Sequence, residues 1–307
     1  MTRQPPRLLD SALVRRRFDR AAAGYAGADA LPRELARRLG ERLDFIRIAP
    51  RRIVDLGSGP GADRAWLQSR FPEADYLACD FSPAMLARMP DATTGGGLFA
   101  RLAHLSARWR GPGTLQAALC AAAARLPLPR ASVDLVWSNC LLPWQADPLP
   151  VMQEIVRTLA VGGLFLFSSL GPDTCRELRT AFGRERVHDF IDMHDLGDML
   201  VAAGLADPVM EMETITLTYP DPLAMVGELR ALGASNALAE RPVGLFGRGR
   251  WQAALARLAR DADGRIPLTC EAIFGHAWKP APRVTAAGEA IVRFHRPGSV
   301  PSPSGSG

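Results

Sequence analysis

Short apolar runs recur along the middle of the chain and alternate with segments whose apolar residues lie three or four positions apart. The short runs are typical of buried strands, and the periodic segments are typical of helices that cover a sheet. Because these strands are apolar at nearly every position, they predict a parallel sheet covered on both faces. The predicted strands of this stretch are 53–56, 76–79, 115–120, 133–138 and 164–168, and the predicted helices are 62–70, 83–89, 148–160 and 172–182.

The pattern changes on either side of this alternating stretch. Residues 8–47 are predicted to be helical, since leucines recur there at helical spacing. Residues 185–295 predict further helices at 195–203, 222–232 and 250–260, with strands at 212–219 and 269–278 that complete the sheet. We therefore divide the chain into a helical cap (1–47), a core (48–184) with an insertion at 91–113, C-terminal additions (185–295) and a disordered tail rich in Pro, Gly and Ser (296–307).

A glycine-rich turn follows the first predicted strand, where Asp55 precedes Gly57, Gly59 and Gly61. Glycine allows a positive φ and lets the backbone approach a ligand closely. The next helix offers unpaired N–H groups and the positive end of its dipole. Asp80 ends the second predicted strand, where an acid can accept hydrogen bonds from a ribose diol. Together these features predict that a nucleoside-containing cofactor binds at the C-terminal ends of the strands.

The glycine spacing distinguishes between nucleoside cofactors. It is one residue too short for the dinucleotide fingerprint, and the only lysine, Lys279, belongs to no phosphate-binding loop motif. Residues 55–61 instead resemble the first motif of class I S-adenosylmethionine-dependent methyltransferases. This resemblance implies a Rossmann-like, doubly wound α/β fold with a mostly parallel seven-stranded sheet. It also implies that S-adenosyl-L-methionine is held by Asp55, Gly57, Ser58, Gly59, Gly61, Asp80, Phe81, Ser82, Met85, Ser138 and Asn139.

One position departs from the pattern of these methyltransferases. They usually carry an acid before the turn that precedes the fourth strand, where it contacts the adenine amino group. Here that position is Ala122. The departure implies either weaker cofactor binding or another group in the same role.

Composition and charge narrow the function further. No apolar run approaches the length of a membrane span, and the five scattered cysteines without a C-x-x-C pair are typical of reduced thiols in the cytoplasm. The His–Asp stretch at 188–195 lacks a further ligand cluster, so no metal is predicted. The net charge is +5, and arginine clusters at 15–17, 37–38 and 51–52 suit an acidic partner. Nucleic-acid binding is not predicted, because aromatic residues do not interleave with these clusters.

Several segments outside the cofactor motif resemble one family, the malonyl-acyl carrier protein O-methyltransferases of early biotin synthesis. They are 18–25, 132–139 followed by Trp144, 219–221, 229–236 and 264–269. The resemblance implies methylation of the free carboxylate of a malonyl thioester on acyl carrier protein, an acidic partner. Residues 169–179 and 195–200 are also similar to the mitochondrial complex I assembly factor that hydroxylates an arginine. A third hypothesis is a binding protein that has this fold and impaired cofactor affinity.

The chemistry of carboxyl methylation indicates which side chains are needed. Methyl transfer from a sulfonium is an in-line displacement, and a malonyl carboxylate is already ionised near neutral pH, so no general base is required. A guanidinium suits the task of holding the carboxylate, and the candidates are Arg20, Arg176 and Arg179. The resemblance also places Tyr25 on an N-terminal helix that folds over the cofactor.

Overall fold

The computed structural model describes residues 7–90 and 116–282. Its strands are β1 (Arg52–Leu56), β2 (Asp75–Asp80), β3 (Gln116–Cys120), β4 (Val133–Ser138), β5 (Leu159–Leu170), β6 (Ala206–Tyr219) and β7 (Ile266–Trp278). Its helices are α1 (Ser11–Ala21), α2 (Ala30–Leu43), α3 (Arg64–Arg70), α4 (Pro83–Leu86), α5 (Leu149–Thr158), α6 (Arg176–Phe182), α7 (Met193–Ala203), α8 (Pro222–Ala231) and α9 (Arg248–Ala256). No helix within the described ranges is long and apolar enough to cross a bilayer.

The seven strands form one sheet in the order β3-β2-β1-β4-β5-β7-β6. The five strands from β1 to β5 pair in parallel, whereas β7 lies antiparallel between β5 and β6. The predicted doubly wound, mostly parallel sheet is therefore confirmed. The parallel strands point their C-terminal ends at one edge, where ligands bind in sheets of this kind.

Successive residues of the central strands point to opposite faces of the sheet, and each face has its own apolar core. On one face Val54 and Val136 pack with Ile155 of α5 and Leu200 of α7. On the other face lies a core that includes Trp137, Leu135 and Ile53 of the sheet with Leu35 and Leu39 of α2 and Leu67 of α3. This burial on both faces explains why the strands are apolar at nearly every position.

Several element boundaries differ from the sequence prediction. Residues 8–47 form two helices rather than a continuous one, because a 3-10 turn at Tyr25–Gly27 follows Gly24. Helix α6 begins at Arg176 rather than 172, since Cys175 before it has a φ of 59°. The strands β5, β6 and β7 are longer than predicted, because their antiparallel pairing continues past the apolar runs. The predicted insertion (91–113) and tail (296–307) lie outside the described residues.

Three short segments far apart in sequence meet above the C-terminal edge of the sheet; we call residues 7–10, 184–190 and 233–241 the roof. Leu9 pairs with Leu238 as an isolated antiparallel bridge, and the Asp10 N–H donates to the carbonyl of Ala237 at 2.8 Å. Arg7 donates to both carboxylate oxygens of Asp189, at 2.7 and 3.0 Å. The N-terminal segment is thereby tied to both other parts of the roof.

Candidate functional site

The turn after β1 has the backbone that its glycines predict. Gly57, Gly59 and Gly61 have φ values of 80°, 53° and 77°, which disfavour residues with a Cβ. A Cβ on Gly57 would lie 3.0 Å from the side chain of Leu141, whereas one on Gly59 would meet nothing within 4 Å. The turn is therefore packed tightly at Gly57 and open at Gly59, where a ligand could approach the backbone.

Asp80, at the end of β2, is buried and fixed by two backbone N–H groups. One carboxylate oxygen accepts from Gly59 at 2.9 Å, and the other accepts from Ser82 at 2.8 Å. Burial raises the pKa of Asp80, and the two hydrogen bonds oppose that rise. Each oxygen keeps a lone pair for a further donor, so this carboxylate can still accept hydrogen bonds from a ligand hydroxyl.

A large cavity extends from this edge of the sheet to the space beneath the roof. It encloses about 1270 Å³, including the part that opens to solvent. Its lining is mainly apolar and aromatic, and its few charged groups are Asp80, Glu228 and Arg186. Residues of the cofactor motif and of the roof thus border one continuous space.

Six of the predicted cofactor residues border this cavity: Gly57, Gly59, Asp80, Phe81, Met85 and Asn139. The amide of Asn139 is held in place, because its nitrogen donates to the carbonyl of Pro32 at 2.9 Å and its oxygen accepts from Ser168 at 2.6 Å. The structure thus brings together residues from the ends of three parallel strands, as the parallel order predicts.

The other predicted cofactor residues lie behind the cavity lining. Asp55 accepts from the hydroxyl of Tyr76 at 2.6 Å, and burial raises its pKa well above the usual range. Ser138 donates to the carbonyl of Leu56, and Ser82 donates to Asp19 while capping α4. Their assignment as direct cofactor contacts stays a prediction, and in this structure they support the residues that line the cavity.

The remaining two positions of the turn, Gly61 and Ser58, differ in whether a neighbouring group already occupies them. Gly61 faces Met89, which a Cβ would approach to 3.0 Å. The hydroxyl of Ser58 is buried and has no hydrogen-bond partner within the described part of the chain. Buried polar atoms are normally paired, so a ligand on this turn would satisfy that hydroxyl. The open backbone at Gly59 and the free Ser58 hydroxyl fit a polar nucleoside cofactor.

Tyr25, one of the four predicted catalytic residues, also borders the cavity. Its ring packs with Ala21, Ala22 and Met85, so it covers the end of the cavity that Asp80 and the glycine turn border. Burial raises the pKa of Tyr25, and the nearby thiol of Cys140 and carboxylate of Asp29 raise it further. The hydroxyl therefore keeps its proton at neutral pH and can act as a donor.

The three predicted arginines do not border the cavity. Arg20 and Arg176 are exposed, and the guanidinium of Arg179 donates to the carbonyls of Pro172 and Thr174. Among the described residues, the arginine that borders the cavity is Arg186, on the roof, which no sequence pattern had singled out. The roles of the three predicted arginines stay untested.

His188 is a second roof residue that the prediction considered only as a metal ligand. It is buried, and its Nε2 accepts from the backbone N–H of Ala237 at 2.8 Å. Burial and the positive charges of Arg17 and Arg7 lower the pKa of His188 to about 4. The ring is therefore neutral near pH 7, with its proton on Nδ1. No group of three metal-ligating side chains occurs among the described residues.

Comparison with known proteins identifies the class of this site. A family model described as a methyltransferase domain matches residues 54–167. A malonyl-acyl carrier protein O-methyltransferase from Laribacter hongkongensis is 46% identical over 93% of this chain and 96% of its own length. Proteins with the same name from Gallionella capsiferriformans and a Methylovorus species are 40% and 43% identical, over 93% and 90% of this chain and 97% and 92% of their own.

The chain belongs to the malonyl-acyl carrier protein O-methyltransferase family. The resemblance read from residues 18–25 and from the C-terminal segments is confirmed. Ala122, where the adenine-contacting acid was expected, is exposed and does not border the cavity.

Solved structures agree with this family's fold. The YcgJ protein from Bacillus subtilis superposes with a TM-score of 0.53 at 16% identity, covering 80% of this chain and 99% of its own. A putative methyltransferase bound to the Haloferax volcanii activator Trm112 gives a TM-score of 0.52 at 19% identity, covering 89% of this chain and 100% of its own. At such low identity these structures support the methyltransferase fold alone.

Proposed function

We propose that this chain transfers the methyl group of S-adenosyl-L-methionine to the free carboxylate of a malonyl group carried as a thioester on acyl carrier protein. The observation that carries the proposal is the continuity of the cavity, which joins the glycine turn and Asp80 to a mainly apolar space under the roof. Relatives named for this reaction, similar over nearly the whole chain, support the choice of substrate.

The cofactor end would be held by backbone and carboxylate groups already in place. Asp80 would accept hydrogen bonds from the ribose hydroxyls, and the open backbone at Gly59 with the Ser58 hydroxyl would receive the polar part of the cofactor. When bound, S-adenosyl-L-methionine supplies an electrophilic methyl group on a sulfonium. The nearby carboxylates would favour this positively charged ligand.

The rest of the cavity would position the acyl group and exclude water. Phe18 and Trp144 meet edge to face with ring centroids 5.1 Å apart, and Tyr25 covers the cofactor end. A carboxylate with few waters around it is a better nucleophile, and in-line alignment with the methyl group supplies much of the rate enhancement. Because the carboxylate is already ionised, the described residues need not provide a general base. The ester has lost the charge of the malonyl group, so the thioester could serve as an apolar primer for fatty-acid elongation.

The carrier protein, which is acidic, would approach near α1. Arg37 and Arg38 are engaged by glutamates, Glu34 among them, but Arg16 and Arg20 on the exposed side of α1 have no carboxylate partner among the described residues. Phe18 of the same helix borders the cavity, so a carrier bound there could deliver its thioester arm into the space. The five cysteines form no disulfide in the structure, as is typical of proteins in the reducing cytoplasm, where we place this enzyme.

The test begins with calorimetric titration of S-adenosylhomocysteine into the wild type and into Asp80→Ala. We expect micromolar binding that the variant loses, followed by a mass gain of one methylene on malonyl-acyl carrier protein with S-adenosylmethionine. Acetyl-acyl carrier protein, which has no free carboxylate, is the matched control and should gain nothing. Absence of cofactor binding to the wild type would favour the non-catalytic hypothesis. Oxygen-dependent addition of a hydroxyl to a respiratory subunit, without ester formation, would favour the assembly-factor hypothesis.

A further inference from the structure

Arg186 borders a mainly apolar cavity, and its guanidinium has no hydrogen-bond or ion-pair partner among the described residues. It ends the short 3-10 turn Arg184–Arg186 in the roof. Its Nε is buried without an acceptor, and none of its guanidinium N–H groups donates to any described residue. No carboxylate in residues 7–90 and 116–282 forms an ion pair with it. The residue is half-buried, and a donor shielded from water without an acceptor carries a cost, so this guanidinium suits an anion that comes from outside the chain.

The guanidinium is held in a fixed orientation from one side. Its Cζ lies 3.9 Å from the centroid of the Phe246 ring, which supports it by a cation–π contact. Phe246 in turn packs near Phe182, with ring centroids 6.3 Å apart. Because the ring covers one face of the planar group, the N–H donors along its edge stay free. A braced guanidinium with free edge donors suits the fork geometry of a carboxylate.

A line of ring contacts joins this part of the roof to the cofactor end of the cavity. His188, two residues after Arg186, lies 5.2 Å from Trp144 between ring centroids. Trp144 contacts Phe18, and Phe18 lies 6.0 Å from Phe81, the residue that follows Asp80. Arg186 borders the same cavity as Gly59 and Asp80, and these rings lie along its lining.

We propose that Arg186 is the carboxylate-binding residue of this cavity and selects an ionised acyl group over a neutral one. The inference rests on the proposed function and names the group that holds its substrate. Arg186 would bind one carboxylate oxygen while the other forms the new C–O bond. The C–S bond of the sulfonium breaks, sulfur keeps the electron pair, and no proton moves. The ester product carries no charge, so it loses this ion pair and leaves more readily.

The sequence-predicted arginines are less suited to this role. The guanidinium of Arg179 is already committed to the carbonyls of Pro172 and Thr174, at 3.0 and 3.2 Å. The side chain of Arg176 is 60% exposed, and water would screen its charge. Neither residue borders the cavity.

The test compares malonyl- with acetyl-acyl carrier protein, because only the first has a free carboxylate and both share the same docking surface. Affinities are measured for enzyme loaded with S-adenosylhomocysteine, so that no reaction occurs. Wild type should prefer the malonyl form by about 10- to 100-fold, the range expected for a charge-assisted hydrogen-bonded pair. Arg186→Gln should reduce that preference to nearly one, and Arg186→Lys should restore part of it. Arg184→Gln, on the same turn with a side chain that is 71% exposed, should keep the full preference.

The outcomes separate this inference from the proposed function. The affinity for S-adenosylhomocysteine should be unchanged in Arg186→Gln, which would show that the fold and the cofactor end are intact. If the wild type forms methyl ester and Arg186→Gln keeps the malonyl preference, the assignment of Arg186 is wrong and the function stands. If Arg179→Gln loses the preference instead, the sequence-predicted arginine is the anchor. If the wild type forms no ester, the proposed function itself fails.

Discussion

The neutral state of His188 predicts a specific dependence of stability on pH. The ring is buried in the roof, where Arg17 and Arg7 oppose a further positive charge and the carboxylate of Asp189 offsets only part of their effect. Its folded-state pKa of about 4 lies below the value of about 6.5 expected in the unfolded chain. Between these two values the unfolded state binds more protons than the folded state. Stability is therefore complete above pH 6.5 and falls as the pH drops toward 4.

The size of the effect follows from the two pKa values. Integration over the titration gives a loss of about 2 kcal/mol in the free energy of unfolding between pH 7 and pH 5 from this residue alone. Asp55 and Asp80 have the opposite effect on stability. Because burial raises their pKa, the folded state binds their protons more readily, and their contribution to stability increases as the pH falls. The pH dependence of the wild-type free energy of unfolding is therefore the sum of several contributions, and the contribution of His188 is isolated by comparison with a variant of that residue.

His188→Gln is the appropriate variant, because its amide oxygen can accept the hydrogen bond that Ala237 donates to Nε2. Urea unfolding followed by tryptophan fluorescence would be measured at both pH values for both proteins. The variant should lose about 1 kcal/mol at pH 7, since the ring contact with Trp144 is removed. Between pH 7 and pH 5 it should lose about 2 kcal/mol less than the wild type. Equal losses in the two proteins would refute the reasoning, as would an NMR titration of the His188 ring with a midpoint near 6.5.

Three further predictions concern the cofactor end. Asp80→Asn should weaken S-adenosylhomocysteine binding at least tenfold by calorimetry, since the amide accepts through only one atom; unchanged affinity would remove Asp80 from the site. Gly59→Ala should lower the free energy of unfolding in urea by about 1 kcal/mol because of the positive φ, and should also weaken S-adenosylhomocysteine binding. Gly61→Ala should lower the free energy of unfolding further, because its Cβ would lie only 3.0 Å from the side chain of Met89. Tyr25→Phe should change thermal stability little, because its hydroxyl has no partner in the described ranges, but should lower kcat for ester formation; an unchanged kcat would limit Tyr25 to packing.

The sheet and the glycine turn could be predicted from sequence because each depends on residues that are close together in the chain. The run at β1 is apolar on both faces, and the glycines that follow it are required by φ values at those positions. Asp80 could be predicted because it ends a strand. The parallel pairing of that strand with β1 places its carboxylate next to Gly59, whose N–H it accepts from. Each of these inferences needs only a short window of sequence and the general geometry of parallel sheets.

The proposed substrate end could not be predicted from sequence, because its residues are positioned by contacts between distant segments. Arg186 lies in a short turn with no periodic pattern, and the roof segment that carries it is tied by Asp189 to Arg7, 182 positions away. His188 accepts from Ala237, 49 positions later. Arg20, Arg176 and Arg179 lie in segments that resemble known families, but nothing in a local pattern separates a backbone-bound arginine from one that borders a cavity.

The roof and α1 physically connect the proposed cofactor and substrate ends of the cavity. Arg17 of α1 donates to the carbonyl of Asn236, and Asn236 donates to the carbonyl of Glu185, next to Arg186. The same helix carries Phe18 against Phe81 and Asp19 against Ser82, beside the carboxylate of Asp80. A displacement of α1 would therefore disturb both ends of the cavity together. Because the N-terminal segment contacts both ends of the cavity, we expect the helical cap to form part of the proposed site rather than an addition to the core.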